Sequence, residues 1–143
     1  MERPELGYLF DRLLRAVIAR EEPILAAAGL QMWDHVLLTA LARGDAPTQA
    51  QLAAETGRDK TRLIGNLDRL VELGLVNRVP DPADRRNRVV SLTAEGRRVL
   101  ERCQAGIRAM ETELLGALPA GERADFERAL VALAASLDQR ARR

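Results

Sequence analysis

The sequence is poor in the residues that most often carry chemistry. Its 143 residues include a single cysteine, Cys103, and a single histidine, His35. One cysteine forms no internal disulfide, nothing near it has metal-ligand spacing and the one histidine has no cysteine beside it, so neither a disulfide scaffold nor a metal site is expected. A lone histidine cannot supply most acid–base pairs. There is also no G-x-S-x-G elbow, no Walker loop and no H-E-x-x-H, so the chain is not expected to be an enzyme or to need a cofactor. No apolar run approaches the roughly 20 residues of a membrane helix. The longest, Leu130–Leu137, is interrupted by Ser136, and no membrane partner is expected. The start, Met1-Glu-Arg-Pro-Glu5, lacks the basic segment and apolar stretch of a secretory signal, so the expected location is cytoplasmic. Charge of one sign is missing as well: 22 basic residues meet 21 acidic ones.

What is present is a globular composition. A hydrophobic share of 47% with 30% charged residues excludes collagen-like, mucin-like and wholly disordered chains. The length suits one domain, since domains commonly run about 100–150 residues. The near-zero net charge hides an uneven distribution. Between Arg58 and Arg88 there are eight basic residues against five acidic ones, leaving a net −2 for the rest of the chain. The basic residues gather at two points of that window, Lys60–Arg62 and Arg85–Arg88.

The apolar spacing predicts a mostly helical chain. Leu6, Leu9, Phe10, Leu13, Leu14, Val17 and Ile18 recur at steps of three and four, one stripe of an amphipathic helix. Pro23 removes a helical hydrogen bond and predicts a kink or break before Ile24–Ala28, with Gly29 ending the segment. A second helix over about Gln31–Arg43 stops at Gly44-Asp45. Thr48-Gln-Ala-Gln51 has the form of a capping box and opens a short helix that ends at Gly57. Asp59 is a good N-cap for a helix running to about Leu73, closed by Gly74. Leu75–Val79 and Arg88–Leu92 read as strands around the loop Pro80–Asn87, a β-hairpin with a charged tip. Thr93 caps the next helix, whose seam is Leu100, Cys103, Ile107, Met110, Leu114 and Leu118. A turn at Gly116 and Pro119–Gly121 leads to a last helix carrying Phe126, Leu130, Leu133 and Leu137 and ending in Arg140–Arg143.

Two helices joined through a glycine turn and followed by a hairpin make a winged helix-turn-helix, whose second helix enters the DNA major groove. Laid out at about 100° per residue, that helix gathers Leu63, Leu67, Leu70 and Val71 on one side. Thr61, Arg62, Gly65, Asp68, Arg69 and Glu72 lie on the other. Arg62 is suited either to guanine or to phosphates. Lys60 sits in the first turn, where a cation and the free amides of a helix start meet phosphate. Gly65 costs a helix about 1 kcal/mol against alanine, which suggests close approach of a backbone or base on that face. The hairpin tip adds Arg85, Arg86 and Arg88, with Asp84 two residues from Arg86 and able to hold its guanidinium. An arginine in a narrow minor groove gains from the concentrated negative potential there.

The segments Ala53–Gly57, Lys60–Ile64, Leu70–Val76, Asp81–Arg86 and Val90–Gly96 resemble the MarR family of bacterial transcription regulators. The wing sequence D-x-R followed by L-T-x-x-G is the specific part, and the similarity spans Leu30 to about Val99. The resemblance implies a winged-helix lobe over about residues 30–99, dimerisation helices over about 5–28 and 100–143, and a homodimer that represses by binding a short inverted repeat in double-stranded DNA. Thr61 and Arg62 match the base-reading start of the recognition helix, Arg86 the minor-groove arginine, Asp84 the carboxylate that orients it, and Thr93 the following helix cap. Relatives that bind small aromatic acids make Phe10, Trp33 and Leu37 candidates for an effector pocket. Cys103, on an apolar seam, is expected to be a buried structural thiol, and His35 a structural or surface residue. The rival reading is a winged-helix protein-interaction module whose basic wing docks an acidic protein.

Overall fold

Local signals in the sequence set most of the element ends. The computed structural model describes residues 2–44 and 47–141. Asp45 of the expected second-helix stop, and Arg142 and Arg143 of the basic terminus, lie outside the described residues. The order is α1 (Leu6–Ala27), α2 (Met32–Arg43), α3 (Gln49–Thr56), α4 (Lys60–Glu72), β1 (Val76–Pro80), β2 (Arg88–Leu92), α5 (Ala94–Leu115) and α6 (Ala120–Ala141). The expected class, mainly helical with a small hairpin wing, is what forms.

The capping box at the start of α3 is complete. Thr48 N donates to Gln51 Oε1 at 2.9 Å, and Gln51 N donates to Thr48 Oγ1 at 3.2 Å. At α4, Arg62 N donates to the carboxylate of Asp59 at 3.1 Å. Helices α1 and α4 end alike, each with a left-handed glycine, Gly29 and Gly74. In each, the next residue reaches back across the turn: Leu30 N donates to Leu25 O, and Leu75 N to Leu70 O. All four leucines are buried, so an apolar contact seals each glycine turn.

The expected break at Pro23 is absent, because α1 runs through it to Ala27. Proline removes one hydrogen bond, but packing beyond it holds the helix. Leu25 is buried, and Ile24 lies so close to α5 that a Cβ at Gly106 would stand 3.0 Å from its side chain. After Ala27 the chain bends by 82° into α2. No single described helix is long and apolar enough to cross a membrane.

The hairpin is antiparallel, in register from Val76 opposite Leu92 to Pro80 opposite Arg88. Its first strand starts one residue later than expected and keeps Pro80 at its outer end, where the missing N–H costs the ladder least. The segment before α3 adds a third edge: Val90 N donates to Pro47 O at 2.9 Å, and Thr48 bridges to Val89. Sequence reading had given Thr48 only its capping role.

The chain divides into two compact units, residues 1–107 and 108–143. The first holds the core, with Leu37, Leu38, Leu52, Leu63, Leu67, Leu70 and Val90 fully buried. Cys103 is buried here, and burial pushes its thiol above the usual value, with the charge of Arg102 opposing. His35 is half-buried, and burial lowers its pKa. Val71, expected on the apolar side of α4, is instead exposed, and Asn66 occupies the buried side. In the second unit the turn is shorter than expected, since Ala120 and Gly121 already belong to α6. No α6 residue is buried; Phe126, Leu130, Val131, Leu133 and Leu137 are exposed.

Candidate nucleic-acid interface

Helix α3, the left-handed turn at Gly57 and helix α4 form the helix-turn-helix. One side of α4 is fixed by Leu63, Leu67 and Leu70 in the core, which turns the opposite side to solvent. Lys60, Thr61, Arg62 and Gly65 are all exposed on or beside that side. Beyond its own turn of helix, a Cβ at Gly65 would meet nothing within 4 Å, so internal packing does not require glycine there.

The other end of the expected face is different. Arg69 does not stand free, because its guanidinium forms an ion pair with Asp34 of α2. Periodicity put Arg69 among the outward residues, but a side chain this long reaches round the helix to a partner that spacing cannot reveal. Asp68 is exposed and pairs with Arg78 of β1, Nη2 to Oδ1 2.6 Å, while Arg78 Nη1 donates to Gln49 Oε1 at 3.4 Å. The carboxylate that would oppose phosphates is thus partly neutralised by its own wing.

At the wing tip the loop is wound tight. Asp81 N donates to Asn87 O and Asn87 N to Asp84 O, each at 2.9 Å. Asp81 Oδ1 accepts from Ala83 N at 2.9 Å. Asp84 Oδ1 accepts the backbone N–H of Arg86 at 3.1 Å and lies 3.7 Å from its Nε. The side chain of Arg86 is 94% exposed. Arg85 and Arg88 are exposed beside it. Arg86 is therefore a cation steered by a neighbouring carboxylate yet open to a large anion.

Behind α4 lies a buried polar group that sequence reasoning missed. Asp34 is fully buried. It accepts from Asn66 Nδ2 at 3.0 Å and from the backbone N–H of Gln31 at 2.7 Å, besides pairing with Arg69. Arg58 Nε donates to Asn66 Oδ1 at 3.3 Å, and its guanidinium stacks 4.5 Å from the ring centroid of Trp33. The one available signal was Asn66 itself, a polar residue within the apolar series Leu63, Leu67 and Leu70.

The effector candidates differ in their surroundings. Leu37 is wholly in the core, Phe10 is 44% exposed on α1, and Arg58 covers one face of Trp33. Neither of two surface cavities includes them. One is lined by Glu95, Arg98, Glu101, Arg102 and Ala105, the other by Gln49, Ile64, Asp68, Val71, Arg78 and Arg88. Among the described residues no three histidine, cysteine or acidic residues gather in a way that would hold a metal ion.

An exposed helix start with two cations, set beside an arginine-tipped hairpin, is the constellation of a winged helix-turn-helix DNA-binding protein. A family model described as MarR family matches residues 28–87. The repressor Rv2887 of Mycobacterium tuberculosis is 28% identical over 125 residues, covering 87% of this chain and 90% of that one. Its crystal structure in complex with DNA superposes with a TM-score of 0.80 at 27% identity over 92% of this chain and 98% of that one. Wild-type Escherichia coli MarR in its apo form gives 0.85 at 27% identity over 93% and 98%. CouR of Rhodococcus jostii, bound to p-coumaroyl-CoA, gives 0.71 at 28% over 91% and 92%. The chain is thus similar to MarR-family regulators over most of its length, and the likeness supports a DNA-binding transcription regulator.

Proposed function

We propose that two copies of this chain form a homodimeric, cytoplasmic repressor that binds a pseudo-palindromic operator and leaves it when a small molecule binds. The observation that carries the DNA reading is the pairing of an exposed, carboxylate-steered Arg86 with an exposed Thr61 and Arg62 at the start of α4. In this reading Lys60, Thr61, Arg62 and Gly65 meet the major groove, and Arg85, Arg86 and Arg88 meet the flanking minor groove and phosphates. Arg69 acts from behind, through Asp34, rather than by touching DNA.

Dimerisation follows from apolar surface that the single chain leaves uncovered. Leu6, Tyr8, Phe10, Leu13 and Leu14 on α1 are 44–58% exposed, and the five exposed residues of α6 form a second such surface. At about 25 cal/mol per Å2, covering these stripes with a second copy favours association. A two-fold axis then presents two α4 helices to successive major grooves, about 34 Å apart. The ligand of CouR supports the idea of an effector, which would act by binding one lobe spacing better than another.

A gel shift on the DNA upstream of the chain's own gene tests the reading. Wild-type protein should shift it selectively, with a log–log salt slope of about −0.9 per neutralised phosphate. Arg86→Ala should weaken binding to all sequences, while Arg62→Ala should also change which sequence is preferred. If both variants bind as wild type does, this assignment of the interface is wrong. Binding to an acidic protein but not to DNA would favour the interaction module.

A further inference from the structure

We propose that Asp68 and Arg78 form a positioning pair that holds the wing at a fixed distance from the recognition helix. This rests on the DNA-binding reading above and adds to it the residues that make the two contacts act as one. The cleft between α4 and the hairpin has a volume of about 380 Å3 and is lined by Gln49, Ile64, Asp68, Val71, Arg78 and Arg88. The Arg78–Asp68 ion pair, at 2.6 Å, spans it, and Gln49 at the start of α3 holds the second arm of the same guanidinium. One side chain thus ties together three elements, two of which, α4 and the wing, meet DNA in the proposed reading. The Arg78 side chain is only 23% exposed, so its charge is largely committed to this link, whereas Asp68 is 56% exposed on the outward face of α4.

The placement of Asp68 makes the proposal testable by sign. A carboxylate on a phosphate-facing surface opposes binding by simple electrostatics. If charge were all that mattered, Asp68→Asn would tighten binding by removing a negative charge and freeing Arg78. Arg78→Gln would loosen it, and the double variant would fall between the two. A strut predicts another pattern. Either single substitution breaks the same link, so both should weaken operator binding by about tenfold. The double variant should be no worse than either, a non-additivity typical of residues in direct contact.

The experiment is a double-mutant cycle on operator affinity with the full-length chain, joined to hydroxyl-radical footprinting. Asp68 is exposed, so Asp68→Asn is expected to melt at the wild-type temperature. Its footprint should lose protection in the minor groove under the wing while dimethyl sulfate protection under α4 persists. Asp68→Asn binding as well as wild type or better, or additive effects across the cycle, would overturn the strut. Arg86→Ala serves as the control. If it too leaves affinity unchanged, the DNA reading itself has failed rather than the strut.

Discussion

Asp34→Ala is expected to cost the fold about 3 kcal/mol, the lower end of the range for removing one partner of a buried ion pair. The carboxylate is fully buried and serves three donors at once: Asn66 Nδ2, the Gln31 N–H and the Arg69 guanidinium. Alanine leaves the buried Asn66 amide without its acceptor, at a cost of about 1–3 kcal/mol. It also opens a small void between α2 and α4. Arg69 limits the damage, because its side chain is 35% exposed and can turn toward water. Urea titration followed by circular dichroism reads the loss as a lower midpoint at unchanged slope. Asp34→Asn, which keeps the shape and one acceptor, should recover part of it. A shift worth less than about 0.5 kcal/mol, the level of an ordinary surface substitution, would mean that α4 is not anchored through Asp34.

Gly96→Ala should be comparably harmful for a steric reason. A Cβ at this position would stand 2.0 Å from the carbonyl oxygen of Leu75 and 2.9 Å from its carbon. Both are backbone atoms, so no side chain can swing aside and α5 itself must move. It would move away from a knot of hydrogen bonds. Thr93 N donates to Leu75 O at 3.1 Å, Thr93 Oγ1 donates to Gly74 O at 2.6 Å, and the same hydroxyl accepts from Gly96 N at 2.9 Å. Overpacking alone costs about 1–3 kcal/mol, and each weakened hydrogen bond adds about 1 kcal/mol. The knot joins the end of α4, the start of β1 and the start of α5, so operator affinity should fall along with stability. The same titration checks it, with Gly65→Ala as the contrast. At that open helical position alanine should raise stability by about 1 kcal/mol. Gly96→Ala with wild-type stability would show that the helix and the Leu75 turn are not in this close contact.

These cases show where the sequence was readable and where it was not. Short-range chemistry came through well. The Thr48–Gln51 box, the Asp59 cap, the glycine ends at positions 29, 57 and 74 and the Thr93 cap each depend on neighbours within a few residues. The outward face of α4 was legible near its start, because a buried leucine series fixes the helix's rotation. Asp34 and Asn66 are 32 residues apart and meet only after α2 packs on α4, so no spacing rule connects them. The Arg69–Asp34 pair was hidden for the same reason, and the Asp68–Arg78 pair depends on the wing folding back over α4. Pro23 shows the opposite case, since the break that it signals locally does not form and the helix continues to Ala27. The exposed stripes of α1 and α6 were visible as periodicity, but periodicity alone does not say whether the chain's own core or a second copy covers them.

In the proposed complex two α4 helices and two Arg86-tipped wings read one duplex together. Sedimentation of the purified chain with its operator, followed by footprinting of the resolved complex, tests this most directly. The expected result is two chains per duplex, with major-groove protections about one helical turn apart and flanking minor-groove protections that Arg86→Ala removes. A single chain that sediments alone and protects no sequence would contradict it.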